Sequence, residues 1–269
     1  MIGCPAYEET SFEPLTAKGR NKALQAGLGA RDMEESVWAC TLCGYCDAIC
    51  PKHVRNVEIV LKLRRDLHGA ALPSAPVSRP LVLGCTIRER APELIPSIVA
   101  FLEKLGRPAE TAGETCCGSL DAEAGRATRT RVPAGVVADP VCMEQFEGEF
   151  LGELAMKSLG LFNLKPPFYY FVPHRLINRD PGRYYAPYHA LRLATGCETN
   201  LDLNRLARST SMGSLQGLGG RDARDVREAV GRLLRHSKAE RIITCSPADY
   251  LAFKQHSGRE TRFVTECLK

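Results

Sequence analysis

Cys40-Thr-Leu-Cys43-Gly-Tyr-Cys46-Asp-Ala-Ile-Cys50-Pro51 is the stretch on which the reading of this chain turns. Its cysteines follow C-x2-C-x2-C-x3-C-P, the spacing that binds a [4Fe–4S] cluster. Three thiolates spaced by two residues wrap one cube, and the tight loop turns backbone N–H groups toward its sulfurs. Soft, electron-rich thiolates suit an iron–sulfur core. A zinc site needs only four ligands and usually divides them into two distant pairs, so an unbroken run points to iron.

Outward from the run, the chain holds one more cysteine that fits it. In two-cluster proteins of this type, the fourth cysteine of each run ligates the cluster of the other run. Cys4-Pro5 has the form of such a tail, with the three leading cysteines of its own run missing. If the crossed wiring survives, Cys4, Cys40, Cys43 and Cys46 hold the cube and Cys50 is left over. In the plainer wiring Cys50 closes the site and Cys4 is an ordinary thiol. The Cys-Pro pair favours the first.

The bulk composition sets the frame. The chain has 269 residues, 44% hydrophobic and 25% charged, which is enough apolar material for a packed core. A formal charge of +5 with no dense Lys/Arg block argues against nucleic acid and leaves a basic surface able to dock an acidic redox partner. No basic segment leads into an apolar stretch at the start. Apolar runs such as Leu94–Leu102 and Pro166–Pro173 fall far short of the ~20 residues of a membrane span. A cytoplasmic, reducing compartment is expected, where the twelve cysteines serve as metal ligands rather than disulfides.

Three units are expected. Residues 1–79 form an α-helical, ferredoxin-like iron–sulfur segment. It has a short helix at Gly19–Leu28 and a longer one in which Val57, Ile59, Val60, Leu63 and Leu67 recur at helical spacing, with Lys62, Arg64, Arg65 and Asp66 between them. Ala70–Pro80, with three prolines, reads as a linker. Residues 80–165 and 166–269 read as an α/β region of two pseudo-repeated units of about 80 residues or more. In the first, Pro80–Gly84 is a strand ending at Cys85, Pro92–Leu105 an amphipathic helix, and Ala134–Ala138 a strand before Cys142. In the second, Tyr184–His189 stands where the first strand belongs. Ala223–Leu234 is then a helix, and Arg241–Thr244 a strand running through Cys245 into a helix that reaches Phe253. The aromatic segment Pro166–Phe171 reads as core filling or an interface, ahead of a partner-binding or quinone-facing patch.

These residues carry a family resemblance. Cys4-Pro-Ala-Tyr, Leu15-Thr-Ala-Lys-Gly-Arg20 and Val37-Trp-Ala-Cys-Thr-Leu-Cys-Gly-Tyr-Cys46 resemble the iron–sulfur subunits of heterodisulfide reductase. They also resemble those of glycolate oxidase, anaerobic glycerol-3-phosphate dehydrogenase and lactate-utilisation enzymes. Leu81-Val-Leu-Gly-Cys85, Glu114-Thr-Cys116-Cys117-Gly118 and Val137-Ala-Asp-Pro-Val-Cys142 are similar to one copy of that family's cysteine-rich CCG domain. The resemblance implies a second metal site at Cys85, Cys116, Cys117 and Cys142, holding either an iron–sulfur cluster or zinc. The chain departs from the family where a fifth cysteine is replaced by Gln145. Its second copy is degenerate: Tyr188 replaces a cysteine in Ala186-Pro-Tyr-His189, Ser211-Met-Gly213 replaces Cys-Cys-Gly, and Cys245 lacks its pair. That half reads as scaffold or docking surface. Cys197, Cys245 and Cys267 have no partner at ligand spacing and read as small buried hydrophobes or exposed thiols. His189 reads as an ordinary histidine and Gly217–Gly220 as a loop.

No dinucleotide fingerprint, phosphate loop or Ser/His/Asp arrangement is present. The expected role is therefore an electron-transfer subunit whose flavoprotein or iron–sulfur partners, and any membrane subunit it docks to, supply the rest. A disulfide-reducing enzyme with a cluster at the CCG site and a structural subunit with zinc there are the alternatives.

Overall fold

The computed structural model describes residues 3–68, 81–82, 86–106, 109–110, 151–210 and 223–269. The expected linker, the strand Ala134–Ala138, Ser211–Gly213 and Gly217–Gly220 lie outside the described residues.

The first segment is helical. Its helices are α1 (Pro5–Thr10), α2 (Ala17–Gln25), α3 (Glu34–Ala39), α4 (Tyr45–Ala48) and α5 (Asn56–His68); α2, α3 and α5 share a core with Met33, Val37, Leu42, Val60, Leu61 and Leu63. The Thr16 side chain caps α2 by accepting from Gly19 N. Asp47 starts α5 by accepting from Asn56 N at 2.7 Å and Val57 N at 3.3 Å. The helical spacing of Val57, Val60 and Leu63 is realised in α5. Arg64 departs from the polar face assigned to it: it is fully buried, and its guanidinium donates to Val37 O and Cys40 O.

The rest mixes helices with parallel strands. The two-residue strands β1 (Leu81–Val82) and β2 (Ala109–Glu110) pair in parallel around helix α6 (Ile95–Lys104), which a 3-10 turn at Pro92–Leu94 precedes. Residues 151–157 form helix α7. A four-stranded parallel sheet follows, built from β3 (Phe168–Phe171), β4 (Glu198–Thr199), β5 (Arg241–Thr244) and β6 (Glu260–Phe263) in the order β4-β3-β5-β6. Parallel neighbours require crossovers. These are α8 (His174–Arg179) and α9 (Pro181–Thr195), then α10 (Ala223–Leu234), then α11 (Pro247–His256).

The central strands β3 and β5 are buried on both faces, as strands inside parallel sheets are. Phe168 and Tyr170 of β3 and Ile243 of β5 face one core with Ile98, Phe101, Leu151 and Tyr188. Tyr169, Phe171 and Ile242 face the other, with Val226 and Val230 of α10 and Phe253 of α11. The first core draws on both 80–165 and 166–269, and Ser97 of α6 hydrogen-bonds Thr265 near the C-terminus at 2.7 Å. Cys197, Cys245 and Cys267 are all buried in it. Among the described residues no helix is long and apolar enough to cross a membrane.

Two expectations are corrected. Tyr184–His189 is not a strand but the middle of α9, so Ala186-Pro-Tyr-His189 is helical. The signals at the helix ends outweigh the aromatic content: the Asp180 side chain accepts from Arg183 N, Pro181 opens the helix, and Gly196 closes it at a φ of 68°. The first strand of this unit is the aromatic segment itself, Phe168–Phe171, which is buried throughout and fills the core.

The order β4-β3-β5-β6 reverses direction between β3 and β5, which makes their carboxyl ends a topological switch point. Polar side chains are buried there: His174, Arg175, Thr210, Ser246 and Asp249. Asp249 accepts a short hydrogen bond from the Thr210 hydroxyl, and His174 Nε2 lies 3.3 Å from Ser209 Oγ. Burial raises the Asp249 carboxyl from 3.8 to about 6, against the opposing pull of Thr210, Ser246 and Arg175. A carboxyl raised on folding contributes stability that is complete below 3.8 and lost as pH rises through about 6. Burial, aided by Arg175, pushes His174 down to about 3, so it acts with the opposite sign over an overlapping range. The test is therefore the difference between two unfolding curves. From pH 4 to pH 7, wild type should lose on the order of 3 kcal/mol relative to Asp249→Asn in urea titrations. Parallel profiles would show that Asp249 does not titrate in this range.

Candidate functional site

The cysteine run folds as a chain of turns. Cys40 ends α3 with extended backbone, Leu42 takes a φ of 54°, and Gly44 a φ of 74° before α4 begins at Tyr45. Glycine adopts that geometry freely, while leucine rarely does, so the first cysteine spacer, Thr41-Leu42, is held under strain. Cys4 arrives from the other side. It is the N-cap of α1 with Pro5 at the first helical position, and its carbonyl accepts from Tyr7 N and Glu8 N at 3.0 and 2.9 Å.

Cys4, Cys40, Cys43 and Cys46 line one cavity of about 50 Å3. A single water needs only ~10–15 Å3 by the same measure, so the space exceeds one solvent molecule several-fold. Cys50 is not part of that lining. Among the described residues, no three His, Cys, Asp or Glu side chains converge closely enough to hold a single metal ion.

The thiols are shaped by burial. Burial pushes Cys43 up to about 12, against the pull of the Tyr45 backbone N–H and the Thr41 side chain. Burial raises Cys46 further, reinforced by Cys43, Cys40 and Asp47. Burial also raises Cys4, and the Tyr7 backbone N–H opposes it. Such thiols stay protonated at neutral pH unless a cationic core takes them as thiolates.

Arg20 is the counterweight, and the sequence reading passed over it. It lines the same cavity and is only 3% exposed. Its Nη1 donates to Leu15 O at 2.9 Å, Ser36 O at 2.7 Å and Ser36 Oγ at 3.3 Å, and its charge lowers both Cys4 and Cys46. No carboxylate pairs with it among the described residues. A buried cation held only by neutral oxygens is costly unless an anion lies beside it. A [4Fe–4S] core with four thiolates is such an anion, so the donor set and its surroundings fit that group.

The loop is also gripped from the sheet. Asn178 of α8 donates to Cys43 O at 3.0 Å and to Ala207 O at 3.1 Å, and accepts from Ala207 N at 3.0 Å. Arg175 donates to Thr41 O at 3.2 Å. Tyr45 donates to Asp202 Oδ2 at 2.7 Å. Asn178, Arg175 and Asp202 lie far along the chain, and no local pattern marks them.

A buried set of thiols around a cavity, faced by a buried guanidinium, defines a thiolate-bound cluster site. Residues 2–54 match the family model of the 4Fe-4S dicluster domain. No curated protein and no solved structure matches the chain. The N-terminal segment is thus a ferredoxin-type iron–sulfur segment that binds a [4Fe–4S] cluster and serves electron transfer. The matched residues hold five cysteines, enough for one cubane and too few for two with four thiolates each. Cys85, Cys116, Cys117 and Cys142 lie outside the described residues.

Asn178 is 1% exposed, so its amide is worth testing directly. Asn178→Leu strands Cys43 O and both backbone groups of Ala207, at ~1–3 kcal/mol for each buried group left unpaired. Urea unfolding should show a loss of several kcal/mol; a change under ~0.5 kcal/mol would remove Asn178 from the support of the loop.

Proposed function

We propose that this chain is the iron–sulfur electron-transfer subunit of a multi-subunit oxidoreductase of the heterodisulfide reductase and glycolate oxidase type. Cys4, Cys40, Cys43 and Cys46 hold the cubane. The observation that carries this reading is the convergence of those four thiols and Arg20 on one buried cavity, with Cys50 outside its lining. The bound cluster supplies one-electron redox chemistry. The chain's residues exclude water from it, fix its thiolates and place a positive charge beside it. Ile49 lines the cavity and is 49% exposed, so the site lies beneath a thin apolar cover suited to exchange with a docked partner.

The flavoprotein or iron–sulfur partners and the wider complex rest on the sequence. So does a second metal site at Cys85, Cys116, Cys117 and Cys142, filled by a cluster or by zinc. The CCG resemblance carries that part of the proposal.

Anaerobic iron, sulfide and zinc analysis tests both sites. About four irons per chain are expected for the N-terminal segment. Any excess of iron, or one zinc, measures the second site. Cys4→Ser should abolish the N-terminal EPR signal while Cys50→Ser keeps it; the reverse would assign closure to Cys50.

Arg20→Gln should make the reduced, more negative cluster harder to form. At a fixed solution potential the ratio of reduced to oxidised cluster should fall about tenfold, equivalent to about 59 mV for a one-electron couple. An unchanged midpoint with full iron content would show that Arg20 does not act on the cluster.

A further inference from the structure

Gly3, the residue before Cys4, has a φ of 99°, a backbone angle open to glycine and strained for a residue with a side chain. It also lies hard against the ring of Tyr45. A methyl group built on Gly3 would stand 2.6 Å from Cε1 and 2.8 Å from Cε2 of that ring, well inside the separation at which carbon atoms pack. Two separate constraints therefore call for glycine here, and the second is imposed by a residue of the cysteine run.

The ring that Gly3 meets is fixed by its other contacts. Tyr45 is 4% exposed and shares a buried apolar cluster with Cys43 and Leu206. Its hydroxyl donates to Asp202 Oδ2 at 2.7 Å and accepts from Asn204 Nδ2 at 3.3 Å. The other oxygen of that carboxylate accepts from Asn204 N at 2.8 Å and Leu206 N at 3.1 Å. A buried phenol engaged both by its ring and by its hydroxyl has little freedom to move.

Tyr45 is also part of the thiol cavity. It lines that cavity with Cys4, Cys43 and Cys46, and its backbone N–H hydrogen-bonds the Cys43 thiol. One residue thus touches a thiol of the run through its backbone and the approach to Cys4 through its side chain.

We propose that Tyr45 is a positioning residue for Cys4. Its fixed ring, met by a residue without a side chain, sets where the Cys4 thiol enters the cavity and so fixes the fourth corner of the cluster. That last step rests on Cys4 being the fourth ligand.

Iodoacetamide labelling of the full-length chain, mapped by peptide mass spectrometry, is the test. It is run first on iron-free protein, so its outcome stands apart from the cluster assignment. Gly3 is half-buried and outside every helix and strand, so Gly3→Ala leaves the helical core intact. It should raise the labelling rate of Cys4 roughly tenfold while that of Cys43 stays within about twofold of wild type. Tyr45→Leu removes the outer end of the ring and should expose Cys4 in the same way. Adding Gly3→Ala to it should bring little further change, since both act through one contact. In iron-loaded protein, Gly3→Ala should release iron to a ferrous chelator roughly tenfold faster. Unchanged labelling of Cys4 in Gly3→Ala overturns the proposal. So does an equal rise at Cys43, the mark of general loosening, or full additivity of the two substitutions. Faster labelling of Cys4 with unchanged iron release supports its placement by Tyr45 and counts against Cys4 as a cluster ligand, so the two readings fail separately.

Discussion

The structure depends on burying positive charge beside a group of thiols. Arg20 is 3% exposed and lines the thiol cavity, and it donates to Leu15 O and to Ser36 O in the helix that ends at Cys40. Taking guanidinium groups out of water costs far more than such neutral hydrogen bonds return. A cluster of net negative charge alongside lowers that cost. The Arg20 charge then favours the thiolate forms of Cys4 and Cys46, which burial alone would keep protonated. Fold and cofactor are coupled in this way, each making the other's burial affordable.

The second constraint is where the cysteine loop docks. It lies on the carboxyl edge of the parallel sheet, the place where an α/β unit ordinarily receives a ligand. Asn178 and Arg175 reach it from the helix that leaves β3, while Asp202 reaches it from the loop that follows β4. Asn200 ties the same edge together by bonding both N–H and C=O of Val172. The iron–sulfur segment therefore takes its shape partly from the sheet. Its strained Leu42 and left-handed Gly44 are supported by side chains more than a hundred residues away.

Much of this was legible in the amino-acid order because the information is local. Cysteine spacing states which thiols can share a core, since two-residue spacers leave little conformational freedom. Apolar residues at helical intervals located α5 and α6, and the run Arg241–Thr244 located β5. The signals that misled were also local. The aromatic residues of Tyr184–His189 suggested a strand, but an Asp-Pro start and a glycine stop bind the same residues into a helix. Arg64 sits among charged neighbours, yet the curvature of the segment around its core turns it inward.

By itself, then, the sequence determined that an iron–sulfur segment precedes a region of strands and helices, and that Cys40, Cys43 and Cys46 act together. Periodicity and ligand spacing are properties of neighbours in the chain. Tertiary structure alone decided that Cys4 joins those three around one cavity while Cys50 stays outside its lining. It also decided that Arg20 faces the thiols and that α8 grips the backbone of the cysteine loop. Those juxtapositions join residues separated by up to 135 positions. They follow from how the sheet's carboxyl edge packs against the helical segment, which no local pattern encodes.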